Sequence, residues 1–241
     1  MPTPDELKTA FSEGQLELKG QFTLGSNYTF LVHVLHEGQD FLAVYKPVKG
    51  EQPLWDFPEN SLAGREVAAY LISEALGWGL VPYTIMRAEG PFGPGSLQQY
   101  IQYNPNYHYF NFKDDDKQRL RPVALFDHLA NNADRKGSHI FFEKGTRHLY
   151  AIDHGLCFNA DDKLRTVIWD FAEEPITPDF LSALENLHRQ LEPPSRLHTD
   201  LSAYLSLEEI AALSQRTENL IVTGTFPPPP RDRRAFPYPP L

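Results

Sequence analysis

The sequence predicts an α+β chain in which an N-terminal antiparallel sheet, carrying one long helix, precedes a mainly helical second part. Three observations predict it. Leu16 to Leu24, Tyr28 to Leu35 and Phe41 to Lys46 are β-branched and aromatic runs separated by Gly25-Ser26-Asn27 and Glu37-Gly38, the punctuation of a meander. Leu62 to Gly77 repeats apolar residues at helical spacing. Beyond residue 120 most of the patterned segments have the helical period.

Thr3-Pro4-Asp5-Glu6 places a hydroxyl, a proline and an acid as a helix start requires, with Gly14 as the stop. The three strands follow and leave Lys46 at a strand end. A loop from Pro47 to Asn60 leads into the long helix. Tyr83 to Ala88 and Ser96 to Tyr103 read as two further strands joined by the turn-rich Gly90-Pro91-Phe92-Gly93-Pro94-Gly95. Asn104 to Gln118, with Asp114-Asp115-Asp116, reads as an exposed connection. The predicted units are therefore an N-terminal lobe over residues 1–103, a C-terminal lobe over 104–225 and a tail over 226–241. In the second lobe Leu120 to Asn131 is a helix, Ile140–Phe142 and His148–Ile152 a hairpin around Gly145, and Pro178 to Leu191 a helix capped by Thr177. Ser206-Leu207-Glu208-Glu209 opens the last helix with a capping box. FPPPPRDRRAFPYPPL sustains neither helix nor central strand and is expected as an extended, polyproline-like tether, open to a Pro-recognising partner.

With 241 residues, 41% hydrophobic and 12% aromatic, the chain has the composition of a folded protein of one or two units. A formal net charge of -10 disfavours a general nucleic-acid or anionic-membrane binder, since those partners reward clustered Lys and Arg. The single cysteine, Cys157, forms no internal disulfide and reads as a buried small hydrophobe. No apolar run reaches the roughly 18 to 20 residues of a membrane span, and the start of the chain lacks the charged-then-apolar pattern of a signal peptide. A cytoplasmic location is expected. Trp55, Trp78 and Trp169 are expected to pack the lobes together.

The segment richest in chemistry is Phe126-Asp127-His128-Leu129-Ala130-Asn131-Asn132-Ala133-Asp134-Arg135-Lys136-Gly137-Ser138-His139, followed fourteen residues after His139 by Asp153-His154-Gly155. Its polar residues follow no helical or strand period. One acid in a loop after an amphipathic helix and a second on a returning hairpin suit a division of labour, in which one orients an attacking hydroxyl and the other holds a metal.

Phe126-Asp127-X-Leu129-X-X-Asn132-X-Asp134-Arg135 with the later Asp153-X-Gly155 resembles the catalytic region of the phosphatidylinositol 3/4-kinase-like and HipA-like atypical kinases, whose pattern runs N-X-D-R-H-X-X-N and then D-X-G. The chain as a whole is similar to a bacterial family classed with those kinases. The resemblance covers roughly Gly20 to Leu220. It implies a bilobal atypical protein/lipid-kinase-like fold, with ATP and Mg2+ or Mn2+ as cofactors. It also implies Asp134 as the catalytic carboxylate with Arg135 and Lys136 beside it, and Asp153 as metal ligand. Lys46 would touch the nucleotide phosphates and be held by Glu66, Gly25 and Ser26 would form the phosphate-covering turn, and Gln98-Gln99-Tyr100-Ile101 would hold adenine. Two positions depart from the pattern. His139 stands where the related kinases have an Asn metal ligand, and Lys136 where they have His. An imidazole nitrogen is softer than an amide oxygen, which tilts preference from magnesium towards manganese or zinc.

The expected activity is phosphotransfer to an unidentified hydroxyl acceptor, a small molecule or a protein. Nucleotidyl transfer on the same fold is a close variant. A pseudokinase would use the same residues for binding or scaffolding alone. A phosphohydrolase built on His128, His139, Asp153 and His154 is disfavoured by the lack of an adjacent His-Asp ligand pair.

Overall fold

The computed structural model describes residues 3–22 and 27–241. Gly25 and Ser26, the expected phosphate-covering turn, lie outside the described residues.

Helix α1 (Pro4–Glu13) starts at a complete capping box. Glu6 N–H donates to Thr3 Oγ1 at 3.2 Å, and Glu6 Oε2 accepts from Thr3 N–H at 2.7 Å. Strands β1 (Gln15–Phe22), β2 (Thr29–His36) and β3 (Gln39–Pro47) then form the expected meander, and α2 (Leu62–Ala75) follows the Pro-containing loop. Strands β4 (Thr84–Arg87) and β5 (Gly95–Gln99) complete an antiparallel sheet of order β1-β2-β3-β5-β4. β5 ends earlier than its apolar run, because residues 100–103 carry the chain out of the sheet into the second lobe. The sheet's inner face buries Phe30, Val32, Val34, Ala43, Tyr45 and Leu97 against Phe11 of α1.

The second lobe contains α3 (Asp114–Gln118), α4 (Arg121–Ala130), the hairpin β6 (Ile140–Phe142) and β7 (Leu149–Ala151), α5 (Pro178–Leu191), α6 (Arg196–Leu201) and α7 (Leu207–Thr223). Its core joins Leu125, Phe126, Leu129, Leu187 and Leu213 to Ala68, Ala69 and Ile72. Those last three lie on α2, so α2 is packed into the helical lobe's core as well as lying beside the sheet. No helix among the described residues is long and apolar enough to cross a membrane.

Several local expectations need correction. The triple-aspartate stretch is helical, not a loop: it forms α3, in which Asp114 and Asp115 are exposed as expected but Asp116 is buried, accepting from Arg147 Nη2 at 2.6 Å and Tyr107 Oη at 2.5 Å. A buried carboxylate is retained because these donors satisfy it. Thr177 occupies the N-cap position of α5 but makes no side-chain capping bond. Trp55 is not buried between the lobes; it is 92% exposed, with the Lys163 ammonium 4.9 Å from its ring centroid. Trp78 does pack on Phe180 of α5, with ring centroids 5.3 Å apart.

The tail is not a free tether. It has no regular structure, as its prolines require, but it is docked. Ala235 O accepts from Thr166 N–H at 3.1 Å and from Trp169 Nε1–H at 3.2 Å, and Pro240 O accepts from Gly137 N–H at 2.8 Å. Arg233 Nη1 donates to Leu164 O at 2.7 Å and its Nη2 pairs with Asp162 at 2.6 Å. A proline-rich strand loses little backbone freedom on docking and offers carbonyls without competing N–H groups. A chain ending at Pro230 should therefore melt roughly 5 to 10 °C below the full chain, since several hydrogen bonds of about 1 kcal/mol each are lost. Differential scanning calorimetry checks this, and an unchanged melting temperature would contradict the docked tail.

Candidate active site

A cleft of about 560 Å³ lies between the two lobes, within the size range of small-ligand sites. Strand alternation places Val44 and Lys46 of β3 on the cleft side and turns Tyr45 into the sheet core. Val44, Ile101, Phe141, Ile152 and Leu156 supply apolar walls, and Gln99 and Tyr100 line the connection between lobes. Their backbone is fixed from behind: Gln99 N–H donates to Tyr83 O at 2.8 Å and Tyr100 N–H to Leu42 O at 3.0 Å.

At the polar end, the Lys46 ammonium is shared by two carboxylates. It donates to Glu66 Oε1 of α2 and, at 3.0 Å, to Asp153 Oδ1 of the loop after β7. The second oxygen of Glu66 accepts from the His154 N–H at 3.0 Å. Burial works against the charge on Lys46, but the attraction of Asp153 and Glu66 outweighs it and raises the pKa. Burial likewise pulls Asp153 upwards, yet Lys46 and then His139 hold it well below the usual carboxylate range. Asp153 adopts φ 63°, a left-handed conformation that Asp tolerates better than most side chains.

Asp134 faces the same cleft, with Lys136 Nζ 3.3 Å from its Oδ2. Its pKa is raised, by burial first and only partly offset by Lys136. The turn that presents it is built by two asparagines. Asn131 ends α4 at φ 51°, donating through Nδ2 to Asn159 O and Asp161 O at 2.9 and 2.6 Å. Asn132 Oδ1 accepts from the Asp134 N–H at 2.9 Å, and its Nδ2 donates to Asp127 Oδ1 at 3.2 Å.

Arg135 does not reach the cleft. Fully buried, it donates from Nε to Asp127 Oδ1 at 3.0 Å and from Nη1 to Ile152 O at 2.6 Å, and Nη2 lies 2.7 Å from His154 Nε2. Its place is beneath the site, tying the Asp134 loop to the Asp153 loop. His139 does reach the cleft, with Nε2 3.2 Å from Asp153 Oδ2. The structure thus brings together Lys46, Glu66, Asp134, Lys136, His139 and Asp153, with Gln99 and Tyr100 further along the cleft.

Among the described residues no group of three or more His, Cys, Asp or Glu side chains is arranged to hold a metal ion. Of the phosphohydrolase set only His139 and Asp153 meet; His154 Nε2 lies against Arg135 Nη2, and His128 packs edge-on against Trp169 with centroids 5.5 Å apart. Asp153 fits a cation that completes its shell with phosphate and water oxygens, as magnesium does. His139 fits less well. A ligating Nε2 would put the proton on Nδ1, which is buried with no hydrogen-bond partner.

Rv2133c of Mycobacterium tuberculosis is 37% identical over 274 aligned positions, spanning 99% of this chain and 97% of its own. The chain belongs to the same protein family. No family model matches the sequence. Two solved structures share the fold of this Rv2133c relative at low identity. One is a Helicobacter pylori proinflammatory kinase, CtkA, with TM-score 0.54 and 12% identity, covering 90% of this chain and 94% of its own. The other is hydra Fam20 with sugar, with TM-score 0.55 and 14% identity, covering 92% and 90%. The fold is kinase-like, with the antiparallel sheet in the N-terminal lobe and the helices in the C-terminal one.

Sequence reasoning missed the groups beneath the site: Asp127 as partner of Arg135, Thr166, whose Oγ1 donates to Asp127 Oδ2 at 3.0 Å, and Arg65. Asp127 was within the recognised segment, and an acid on the buried face of an amphipathic helix was the available signal.

Burial pulls the pKa of His128 and of His139 down to about 4, against the smaller opposing pull of Asp162 and Asp153 respectively. Between pH 6.5 and 4 the unfolded chain takes up protons that these native imidazoles refuse. Their contribution is intact above pH 6.5 and lost as pH falls towards 4, on the order of 1 to 3 kcal/mol each. Urea midpoints at pH 7.5, 6 and 5 should fall in that order, and His128→Phe should flatten the slope; an unchanged slope would mean that His128 titrates normally.

Proposed function

We propose that the chain is an ATP- and divalent-metal-dependent phosphotransferase, related to the phosphatidylinositol 3/4-kinase-like and HipA-like atypical kinases. The observation that carries this reading is the Lys46 ammonium held between Glu66 of one lobe and Asp153 of the other, beside Asp134, at the polar end of an otherwise apolar cleft.

The apolar walls and the Gln99–Tyr100 connection accept the adenine. Lys46 meets the phosphates as a point charge, and Glu66 keeps it extended into the cleft. A divalent cation bound at Asp153 would neutralise charge on the phosphate oxygens. Asp134, with its raised pKa, accepts the proton of the acceptor hydroxyl and orients its oxygen; a carboxylate poised closer to neutrality is a better base at working pH. Lys136, 3.3 Å from Asp134 Oδ2, is placed to follow the transferred phosphoryl group. The acceptor is a small-molecule or protein hydroxyl, and the location is cytoplasmic. A nucleotide-binding module without turnover is the second reading, favoured by His139 and its unpartnered Nδ1 at the position of the kinases' Asn ligand.

Asp134→Asn should leave the thermal shift with ATP and Mg2+ or Mn2+ intact and lower ATP turnover about 10²- to 10⁴-fold. Asp153→Asn should abolish the metal-dependent part of the shift. Loss of binding in Asp134→Asn would make that residue structural, and wild-type binding without turnover would favour the second reading.

A further inference from the structure

Two consecutive residues of α2 hold the loop after Asp153 from both ends. Glu66 accepts the His154 N–H at 3.0 Å, and Arg65 Nη1 donates to the Cys157 carbonyl at 2.6 Å, so residues 154–157 are bracketed by one turn of helix. Arg65 is fully buried. Its other two nitrogens are bonded as well: Nη2 reaches Glu209 Oε1 of α7 at 2.5 Å and Nε reaches Ser61 Oγ at 3.2 Å, while the guanidinium lies 4.9 Å from the Phe57 ring centroid. Glu209 is only 10% exposed at its side chain, and its other oxygen accepts the Ser206 N–H at 2.9 Å, closing the capping box of α7.

The pair therefore fastens α2 to the last helix of the other lobe. Displacing α2 would leave a guanidinium and a carboxylate buried without partners, a state far worse than the pair itself. The close approach of Gly64 to Tyr204 argues the same way: a Cβ there would lie 3.4 Å from the tyrosine side chain. Ala68, Ala69 and Ile72, further along α2, are part of the helical lobe's core.

We propose that Arg65, through Glu209, is a positioning residue that locks α2 to the helical lobe, so that Glu66, Lys46 and Asp153 stand in their phosphate-binding arrangement without an activating movement of α2. The ligand in this statement rests on the phosphotransferase reading; the locking of α2 rests on the geometry alone.

The test removes both charges together in Arg65→Met/Glu209→Leu, because Arg65→Met alone strands a buried carboxylate and is expected to unfold the chain. Two quantities are read. Hydrogen exchange of the His154 amide, whose acceptor is Glu66, should speed up about tenfold or more in the folded double variant. With Mn2+ present, the Kd for ATP should rise about tenfold while that for adenosine changes less than about twofold, and Arg65→Lys should fall between wild type and the double variant in both readouts. Unchanged His154 exchange in the double variant would overturn the proposal, as would unchanged ATP affinity beside a wild type that binds ATP. A wild type that binds no ATP would defeat the phosphotransferase reading alone, with exchange still deciding the lock. Should the double variant not fold, Glu209→Gln, which keeps a neutral acceptor for Arg65, carries the same two readouts, with smaller increases in the same direction expected and no change overturning the proposal.

Discussion

One cation shared by two carboxylates governs how the two lobes meet. Lys46 comes from the sheet, Glu66 from the helix beside it and Asp153 from the loop after the second lobe's hairpin. Burial opposes the ionised forms of Lys46 and Asp153, and their mutual attraction outweighs it. An arrangement with one positive and two negative charges has room for further positive charge. Phosphates and a cation entering the cleft would let Lys46 exchange a carboxylate for phosphate oxygens at little electrostatic loss. The apolar walls beside it exclude water and strengthen every such interaction.

Beneath this shared cation lies a second layer whose charges never see the cleft. Arg135 with Asp127, and Arg65 with Glu209, are buried pairs with nearly all their donors and acceptors used. Such pairs add little net stability compared with apolar packing, but breaking one is costly. Their effect is to fix relative positions. Arg135 ties the Asp134 loop to the Asp153 loop, Arg65 ties α2 to α7, and the tail's carbonyls close the outer side through Gly137 and Thr166. The side chains of the site thus stand on a floor of paired buried charges.

The parts of this architecture legible in the sequence are those governed by short-range rules. The meander follows from alternation and turn residues, α2 from its apolar period, and the starts of α1 and α7 from capping boxes that form as their spacing requires. Lys46, Glu66, Asp134 and Asp153 stood out by motif and order, and the fold brings them to one cleft. The resemblance set Arg135 beside Asp134 as a catalytic residue, yet neighbours along an extended loop point to opposite sides, and it turns inwards. The Arg65–Glu209 pair spans 144 positions and has no local signature. The docked tail was illegible for a related reason: it is held chiefly by main-chain carbonyls, which every sequence has, and by one arginine among several. Helices α3 and α6 are too short for a period to show, and tertiary contacts supply what propensity does not.

The central claim, that Lys46 is poised for phosphates, is tested most directly by calorimetric titration of ATP with Mg2+, and of adenosine, into wild type and Lys46→Met. The account predicts that the substitution weakens ATP by about tenfold or more and leaves adenosine nearly unchanged, because only the phosphates meet the missing charge. Equal weakening of both ligands, or none of either, would contradict it.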